Sequence, residues 1–385
     1  MSVIKVAVIE PVGGYGGMGY YDFGLCEGLE SAGVEVSLHT NHETTPPAGS
    51  KVPLHFCYRD IFGNAPVWKR AARYIRGTLS ALVHAVLRSA PLVHFHFFNV
   101  GPLETFNVVA AKVSGRKIVA TIHDVESFAE WEKMPLLARF VYPLVNHFIV
   151  HNQVSRDELI RVARIHPERI AVIPHGNYLS MLGEAPLLSE TRRKLNVPDH
   201  AKVLLFFGQI KDVKGLDLLL EAMPNVLKEH PYTVLLIAGR PWKTNFESYS
   251  EQISHSGIQE SCLCHIRYIP DEEVPLFYGI ADLVVLPYRR IYQSGVVLMA
   301  MSYGRAVLAS DLPGMKEVIT DDDTGFLFKS GDAQALALRL NEVLDQDDLV
   351  AAAGKRGKEL MRERYDWGVI GSMTAAVYRS VCVSQ

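Results

Sequence analysis

The sequence has little of what marks secreted, membrane-spanning or nucleic-acid-binding proteins. Its 385 residues include five scattered cysteines, an odd number that fits a reducing compartment better than a disulfide framework. No run of about 18 apolar residues occurs, so no membrane-spanning helix is expected. Lys and Arg number 39 against 42 Asp and Glu. The resulting formal charge of −3 provides no general attraction to nucleic acid, and no nucleic-acid partner is expected.

Two motifs that would indicate a function directly are missing as well. No GxxxxGK[ST] sequence occurs, which excludes a Walker loop. Cys262 and Cys264, followed by His265, lack the second pair of ligands of a zinc cluster, so no metal site is predicted. No charged and then apolar leader opens the chain, and we therefore expect a cytoplasmic protein.

The length and the hydrophobic pattern predict two α/β domains. The chain exceeds the roughly 250–300 residues that one hydrophobic core usually supports. Short apolar runs alternate with apolar residues at helical spacing before residue 178 and again after residue 202, which is typical of strands alternating with helices. The intervening stretch, Tyr178–Leu188, contains Gly and Pro and is predicted to be the linker.

The stretch Val203–Ala222 predicts an anion-binding loop. Its opening apolar run has the length of a strand and ends at Gly208, and apolar residues return at helical spacing from Gly215. Lys211 and Lys214 precede this helix, where free backbone N–H groups and an ammonium group both favour a phosphate. An ordinary βα loop with two solvated lysines is the alternative.

A glycine-rich loop, residues 11–19, follows the first predicted strand. Its five glycines allow the backbone to approach a ligand closely. Gly14, Gly16 and Gly19 satisfy GxGxxG, so a dinucleotide-binding fold must be considered. That fold expects an acidic residue at the end of the second strand, whereas the first acid here is Glu43, in a Pro-rich turn. The sequence therefore disfavours NAD binding.

Histidines stand on or directly after predicted strands. His94 and His96 fall on the same face of one strand, where packing in a core or cleft is the default interpretation. His123 and Asp124 follow the strand Lys117–Ile122, at the edge of the sheet where open α/β folds bind ligands. A functional role is therefore expected for His123.

The segment Trp68–Arg88 is predicted to be an amphipathic helix. Four basic residues lie near its beginning: Lys69, Arg70, Arg73 and Arg76. Such a helix, with its tryptophan, can lie on an anionic membrane surface. Packing on its own sheet with a solvated basic face is the more common arrangement, and peripheral contact with the inner face of the membrane stays open.

Six segments, in this order and spacing, give the chain a family resemblance: the glycine-rich loop, Thr121–Asp124, Val172–Gly176, Phe207–Gly215, Ile269–Asp282 and Ala300–Val307. Over nearly its whole length the chain resembles the GT-B glycosyltransferases of retaining family 4. The resemblance implies an α/β fold with two Rossmann-like domains facing across a cleft. The expected domains are 1–178, completed by a crossover helix at 366–385, and 189–365.

The resemblance also implies an activity, the metal-independent transfer of a sugar from a nucleoside diphosphate to a hydroxyl with retained anomeric configuration. The nucleotide-sugar, of UDP or GDP type, would be a substrate, and no cofactor is expected. The acceptor would be a saccharide or a lipid-linked saccharide, in polysaccharide or glycoconjugate biosynthesis.

Roles for individual residues follow from the same resemblance. Lys214 is expected to hold the diphosphate and His123 to contact the transferred sugar or the attacking hydroxyl, which makes both candidate catalytic residues. The remaining donor-binding candidates are Gly16, Gly17, Gln209, Arg240, Ile269, Ser294, Gly295 and Val296. The acceptor-side candidates are Asp124, His175 and Trp131.

Two departures from the family pattern leave alternatives open. Family members commonly carry two glutamates eight positions apart; the second position falls on Met299 and the first near Ile291–Gln293, so neither carboxylate is present. Gln209 stands where the family usually has arginine. A catalytically inactive GT-B partner of another transferase is therefore an alternative, and an NAD-dependent oxidoreductase or a nucleotide-sugar epimerase are others.

Overall fold

The structure, a computed structural model, describes residues 3–14, 18–123, 136–183, 187–242 and 245–383. It divides the chain into two compact units. The first comprises residues 1–176 and 365–385, and the second comprises residues 177–364. The N-terminal segment of the first unit thus ends two residues before the end of the first domain proposed from the sequence.

Thirteen strands form two sheets within the described residues. The first unit contains β1 (Lys5–Glu10), β2 (Glu35–Asn41), β3 (Leu54–Tyr58), β4 (Leu92–Phe97), β5 (Lys117–Ile122), β6 (His147–Val150) and β7 (Ile170–Val172). The second unit contains β8 (Lys202–Phe207), β9 (Thr233–Ala238), β10 (Cys262–His265), β11 (Leu283–Leu286), β12 (Ala306–Ser310) and β13 (Phe326–Phe328).

Fourteen α-helices connect and cover these strands in the part of the chain that the structure describes. Those of the first unit are α1 (Met18–Ser31), α2 (Val67–Leu87), α3 (Pro102–Val113), α4 (Leu136–Val141), α5 (Gln153–Ala163) and α14 (Trp367–Val383). Those of the second unit are α6 (Leu188–Lys194), α7 (Leu216–Glu229), α8 (Glu247–His255), α9 (Val274–Ile280), α10 (Gly295–Ser302), α11 (Pro313–Lys316), α12 (Ala333–Leu344) and α13 (Asp347–Glu363).

Both sheets are parallel and doubly wound. The first has the strand order β3-β2-β1-β4-β5-β6-β7, and the second has the order β10-β9-β8-β11-β12-β13. Every residue of β4, β9 and β12 is buried, as expected for parallel strands covered by helices on both faces. The α/β fold of two Rossmann-like units predicted from the sequence is confirmed.

The last helix, α14, packs against α1 in the first unit. The contact is close because glycines face it from both helices: a Cβ on Gly28 would lie 2.0 Å from the backbone oxygen of Trp367, and one on Gly371 would lie 2.1 Å from the carbonyl carbon of Gly28. No side chain fits at either position. The C-terminal segment is therefore an integral layer of the first unit.

One strand, β3, was not predicted from the sequence. This edge strand is only partly buried over its first four residues, and Phe56 is 40% exposed. Its pairing with β2 shifts register between Thr40 and Asn41. A short, half-exposed edge strand carries neither a continuous apolar run nor a clean alternation, so the pattern did not indicate it.

Candidate functional site

Each sheet has one point where the direction of strand order reverses. In the first sheet this switch lies between β1 and β4, and in the second it lies between β8 and β11. Open α/β sheets bind ligands outside the carboxyl ends of the strands at such a point, because the connecting loops diverge there and leave a crevice. The two switch points therefore locate the candidate sites, one within each unit.

At the switch point of the second unit, two of the segments predicted to bind the donor come together with Tyr288. The Lys214 ammonium lies 3.3 Å from the place a Cβ would occupy on Gly208, which follows β8. The side chain of Val296, on α10, lies 3.5 Å from the same place. Lys214 Nζ is also 5.4 Å from the centre of the ring of Tyr288, which lies two residues after β11. A lysine ammonium thus stands between the ends of β8 and β11.

The loop after β8 is shaped by a second glycine. Gly239 has φ +149°, and a Cβ there would lie 1.8 Å from the carbonyl oxygen of Gly208. Glycine is required at this position because of the positive φ and because there is no space for a Cβ. The next residue, Arg240, is exposed, with its guanidinium 5.9 Å from the Tyr268 ring, while Ile269 is buried.

The N-terminus of α10 completes this group. Ser294 occupies the N-cap and is buried, but its side chain makes no capping hydrogen bond, so the first-turn amides are not satisfied by it. A Cβ on Gly295 would lie 2.8 Å from the Tyr178 hydroxyl. Helix N-termini favour anions because their amides and the helix dipole both present positive charge. Together with the Lys214 ammonium, this arrangement suits a diphosphate.

In the first unit, three imidazoles form one hydrogen-bonded chain. His123 Nε2 lies 3.1 Å from His96 Nδ1, and His123 Nδ1 lies 3.2 Å from His151 Nε2. His151 Nδ1 in turn lies 3.0 Å from the carbonyl oxygen of Ile173. The chain crosses the carboxyl edge of the sheet, with its members on or directly after β4, β5 and β6. Both ring nitrogens of His123 are thus engaged by other histidines.

The Ile173 carbonyl fixes the direction of every bond in this chain. A carbonyl oxygen only accepts, so the proton of neutral His151 is on Nδ1 and its Nε2 accepts from His123 Nδ1. His123 Nε2 then accepts from His96 Nδ1. His96 consequently carries a bare lone pair on Nε2, and this buried atom has no hydrogen-bond partner.

Burial keeps these imidazoles neutral. It lowers the pKa of His151 to about 3 and that of His175 to about 4. For His96 and His123, burial is again the first cause of a pKa well below the usual value, and the neighbouring histidines add to it because two cations would repel each other. The proton directions derived for neutral rings therefore hold at physiological pH.

A cavity of about 370 Å³ lies at the switch point of the first unit. Glu10, at the end of β1, and His96, on β4, line it together with Arg70 and Tyr74 of α2 and Phe98, which follows β4. Its volume is within the range of small-molecule sites. The Phe98 ring also stacks on His123, with centroids 5.1 Å apart, so the cavity adjoins the imidazole chain.

Two carboxyl groups are buried beside the cavity and the chain. Glu10 accepts a hydrogen bond from the Gly13 amide through Oε2, while its Oε1 has no partner. Burial raises the pKa of Glu10 to about 7. Asp22, on α1, lies 3.7 Å from His96 Nδ1, and burial followed by repulsion from Glu10 raises its pKa well above the usual value. Both groups favour their protonated forms more than exposed carboxyls do.

The acceptor-side candidate His175 also belongs to this region. Its Nδ1 donates to the Gly176 carbonyl at 2.7 Å, and its ring lies 5.0 Å from Tyr21 and 6.0 Å from Trp367, centre to centre. Gly16, Gly17, Asp124 and Trp131 lie outside the described residues. The roles proposed from the sequence for all of these residues stay predictions.

The structure separates Arg70 from the other basic residues with which it was grouped in the sequence. Of the four basic residues near the beginning of α2, Arg70 turns towards the cavity, and its Nε is buried without a hydrogen-bond partner. It follows the helix face that buries Tyr74 and Thr78, at positions i+4 and i+8. The interpretation that placed Arg70 on the exposed basic face with Lys69 and Arg73 is wrong for this reason.

Several residues of these sites were not singled out from the sequence. Glu10, Tyr288 and His151 were not proposed, and His96 was assigned to packing. All four are at or just beyond the carboxyl end of a strand, the same signal that indicated His123. Applied to every strand, that rule would have found them. Arg70 gave no comparable signal, because its inward direction depends on how α2 packs.

Comparisons with known proteins agree with this geometry. A family model described as "Glycosyltransferase Family 4" matches residues 15–177, and one described as "Glycosyl transferases group 1" matches residues 189–360. The two matches cover the greater part of both units. The chain belongs to the GT-B glycosyltransferases of family 4. This membership decides against the NAD-dependent oxidoreductase considered from the glycine pattern.

Individual relatives of this family 4 glycosyltransferase are distant. A D-inositol 3-phosphate glycosyltransferase of Thermobispora bispora is 25% identical over 393 residues, covering 95% of this chain and 90% of its own length. A phosphatidyl-myo-inositol mannosyltransferase of Mycobacterium leprae is 33% identical over 217 residues, 55% of this chain and 54% of its own. Anabaena Alr3699/HepE, solved in complex with UDP-glucose, superposes with a TM-score of 0.75 at 18% identity, covering 98% and 100% of the two chains.

Two further findings concern metals and membranes. Among the residues that the structure describes, no group of three or more His, Cys, Asp or Glu side chains is arranged to hold a metal ion. Over the same residues, none of the helices combines the length and the apolar character needed to cross a membrane.

Proposed function

We propose that this glycosyltransferase moves one sugar from a nucleoside-diphosphate-sugar to a hydroxyl of a saccharide or lipid-linked saccharide, with retained anomeric configuration and without a metal ion. The bond between the anomeric carbon and the diphosphate breaks, and a bond to the acceptor oxygen forms. Negative charge develops on the departing diphosphate, so positive groups placed there contribute most to catalysis. The Lys214 ammonium beside Gly208, at the switch point, is the observation that carries the proposal.

Lys214 and the α10 N-terminus would share the neutralisation of the diphosphate. Gln209 does not supply the positive charge of the arginine that the family usually has at its position. Lys214 therefore provides a larger share of the positive charge at the diphosphate than in relatives that keep that arginine. The first-turn amides at Gly295 and Val296 would add hydrogen bonds to the same oxygens.

Donor binding is tested by calorimetric titration of the purified protein with UDP-, GDP- and ADP-sugars in the presence of EDTA. We expect binding of one nucleotide class and a loss of about 10- to 100-fold in affinity for Lys214→Met, the range for one charged hydrogen bond. Lys211→Met is the matched control, because its ammonium lies over the Trp242 ring, 5.5 Å from its centre.

The outcomes separate the transferase from the inactive partner. Unchanged affinity in Lys214→Met would refute the diphosphate assignment. A folded protein that binds none of the nucleotide-sugars would support the non-catalytic partner, with the absent glutamates and Gln209 as the physical reason. Where transfer occurs, the anomeric proton coupling in the NMR spectrum of the product reports whether configuration is retained.

The acceptor class is indicated less directly. One relative is named for D-inositol 3-phosphate and another for phosphatidyl-myo-inositol, whereas the resemblance of the whole sequence implies a saccharide. These acceptors differ in whether a phosphate group accompanies the hydroxyl-bearing ring. The cavity in the first unit, lined by Glu10, Arg70 and His96, is the structural feature that bears on this choice.

Peripheral membrane contact is the second part of the proposal, and α2 would provide it. Trp68 is 68% exposed and Leu87 is 78% exposed, with further apolar residues exposed between them. Lys69 and Arg73 are exposed on the same helix. Exposed apolar side chains beside basic ones suit the interface of an anionic membrane, where a lipid-linked acceptor would be presented.

A further inference from the structure

The cavity of the first unit contains polar atoms that the protein itself leaves without partners. Glu10 Oε1, His96 Nε2 and Arg70 Nε are each buried and make no hydrogen bond. Glu10 and His96 are buried residues that line the cavity from neighbouring strands, and Arg70 lines it from α2. Buried polar atoms in folded proteins are nearly always paired, so three unpaired atoms around one cavity indicate a ligand.

The chemical character of each unpaired atom follows from its surroundings. His96 Nε2 is an acceptor, because the series of histidine hydrogen bonds that ends at the Ile173 carbonyl places the His96 proton on Nδ1. Glu10 Oε1 is a carboxyl oxygen whose partner atom Oε2 already accepts from the Gly13 amide. Arg70 Nε is a donor. The ligand must therefore both donate and accept hydrogen bonds.

A fourth polar group in the wall is oriented by a buried network. Thr78 donates to Asn107 Oδ1 at 2.7 Å, and Asn107 Nδ2 donates to the Tyr74 hydroxyl at 2.8 Å. The Tyr74 oxygen thus receives a hydrogen bond from Asn107, which directs its own proton elsewhere. Since Tyr74 lines the cavity, it adds a second donor to the wall. The cavity wall therefore presents both donors and acceptors.

Much of the remaining lining is apolar or aromatic. Phe62 and Phe98 line the cavity together with Ile61, Val67 and Leu103. A ring that presents C–H groups on its faces and hydroxyls on its edge matches aromatic walls combined with separate donors and acceptors. Hydroxyl groups each donate and accept, so one such ring can satisfy all the unpaired atoms at once.

Charge argues against a phosphate group in the same place. Two carboxyl residues, Glu10 and Glu104, line the cavity, against one guanidinium, Arg70. A phosphate dianion could accept from Arg70, but it has no proton to donate to His96 Nε2, and its charge is repelled by Glu104 and by the ionised form of Glu10. A phosphate group placed against these atoms would leave buried acceptors unpaired, which is unfavourable.

We infer that this cavity binds an uncharged, polyhydroxylated ring, such as a hexopyranoside or an inositol, and discriminates against the phosphorylated form of the same ring. That the bound ring is the sugar acceptor rests on the proposed function. The preference itself is a property of the first unit and is measured without any transfer reaction.

Ligand-observed NMR on the full chain tests the preference. The probes are methyl α-D-mannopyranoside, methyl α-D-glucopyranoside and myo-inositol, each compared with a phosphorylated counterpart: mannose 6-phosphate, glucose 6-phosphate and myo-inositol 1-phosphate. We expect at least one uncharged ring to bind about tenfold or more tightly than its phosphorylated counterpart, the size of effect that one unpaired buried group produces.

Three variants assign the preference to the cavity. Arg70→Met should weaken binding of the uncharged ring about tenfold, whereas Arg76→Met, on the same helix but lining a different cavity, should leave it unchanged. Glu104→Gln keeps an oxygen that can accept from the Gly101 amide, as Glu104 Oε2 does at 2.9 Å, and removes one negative charge. Glu104→Gln should therefore reduce the difference in binding affinity between the uncharged rings and their phosphorylated counterparts.

The outcomes overturn the inference or support it independently of donor binding. Tighter binding of the phosphorylated rings, equal losses in Arg70→Met and Arg76→Met, or no binding of any ring to the folded protein would each overturn it. If nucleotide-sugars fail to bind while an uncharged ring binds as expected, the proposed transferase function fails and the cavity preference stands.

Discussion

Replacing His94 should reduce by about one the number of protons that the chain takes up on unfolding. This number sets the slope of the free energy of unfolding against pH. The side chain is fully buried on β4, with Nδ1 2.6 Å from the Tyr378 hydroxyl and Nε2 2.8 Å from the Thr121 hydroxyl. Burial lowers its pKa to about 3, against the usual 6.5. Between these values the unfolded chain binds a proton at this position and the folded chain does not.

The sign follows from that difference in bound protons. Because the folded pKa lies below the unfolded one, the stabilising contribution is fully present above pH 6.5 and is lost as the pH falls towards 3. From pH 7 to 5.5, His94 alone should lower the free energy of unfolding by about 1.3 kcal/mol. The slope approaches about 1.4 kcal/mol per pH unit, the limit for one proton.

Other titratable groups contribute to the total slope of the free energy of unfolding against pH. They do not contribute to the difference in slope between the wild type and the His94 variant. Burial also lowers the pKa of His39 and His151 to about 3, so they steepen the slope in the same direction. Glu10, whose pKa is raised to about 7, has the opposite sign: its contribution is present below pH 4.5 and is lost as the pH rises through 7. These contributions are shared by the wild type and the variant and cancel between them.

The assay is urea unfolding of the wild type and His94→Gln at several pH values between 5 and 7. We expect the slope of the free energy of unfolding against pH to fall by about one proton in His94→Gln, whatever its absolute stability. His166→Gln is the control for the substitution itself, because the His166 side chain is 68% exposed. Equal slopes in the wild type and His94→Gln would refute the assignment of His94 as a buried neutral imidazole.

Three further predictions concern single features of the two units. His123→Ala should lower turnover more than donor affinity, as measured by steady-state kinetics and calorimetric titration; equal losses would instead make it a donor-positioning residue. Gly239→Ala should lower the free energy of unfolding by about 1–3 kcal/mol, because its Cβ would meet the Gly208 carbonyl oxygen, and by more than Gly257→Ala, which has a positive φ but open space around it. Exchanging Lys69, Arg73 and Arg76 for Gln should weaken sedimentation with phosphatidylserine vesicles, at about 1 kcal/mol for each charge; undiminished binding would leave α2 with a packing role only.

The two candidate sites rest on the same topological feature. Each is at the carboxyl edge of a doubly wound sheet, at the point where strand order reverses. The second unit offers a lysine and a helix N-terminus there, which suit an anion. The first unit offers neutral imidazoles, buried carboxyl groups and aromatic walls, which suit hydroxyl groups. The polar residues, rather than the fold, distinguish what the two units bind.

The alternation of apolar runs with helical periodicity determined the α/β class and most strands. Strands such as β5 and β9 are buried on both faces, so their runs of apolar residues are unmistakable in the sequence. Motif order determined the family, and Lys214 and His123 followed from it. Hydrophobic periodicity is a local property, and motif order is a property of the linear sequence. Both can therefore be read without knowing how the chain folds.

Only the tertiary structure decided which side chains meet. His96, His123 and His151 are far apart along the chain, and they form one hydrogen-bonded chain because parallel strands bring their carboxyl ends together at one edge. Arg70 faces the cavity rather than solvent because of the side on which α2 packs. The direction of each proton, and with it the expected preference for an uncharged ring, depends on a single backbone carbonyl, that of Ile173, whose position no local pattern reveals.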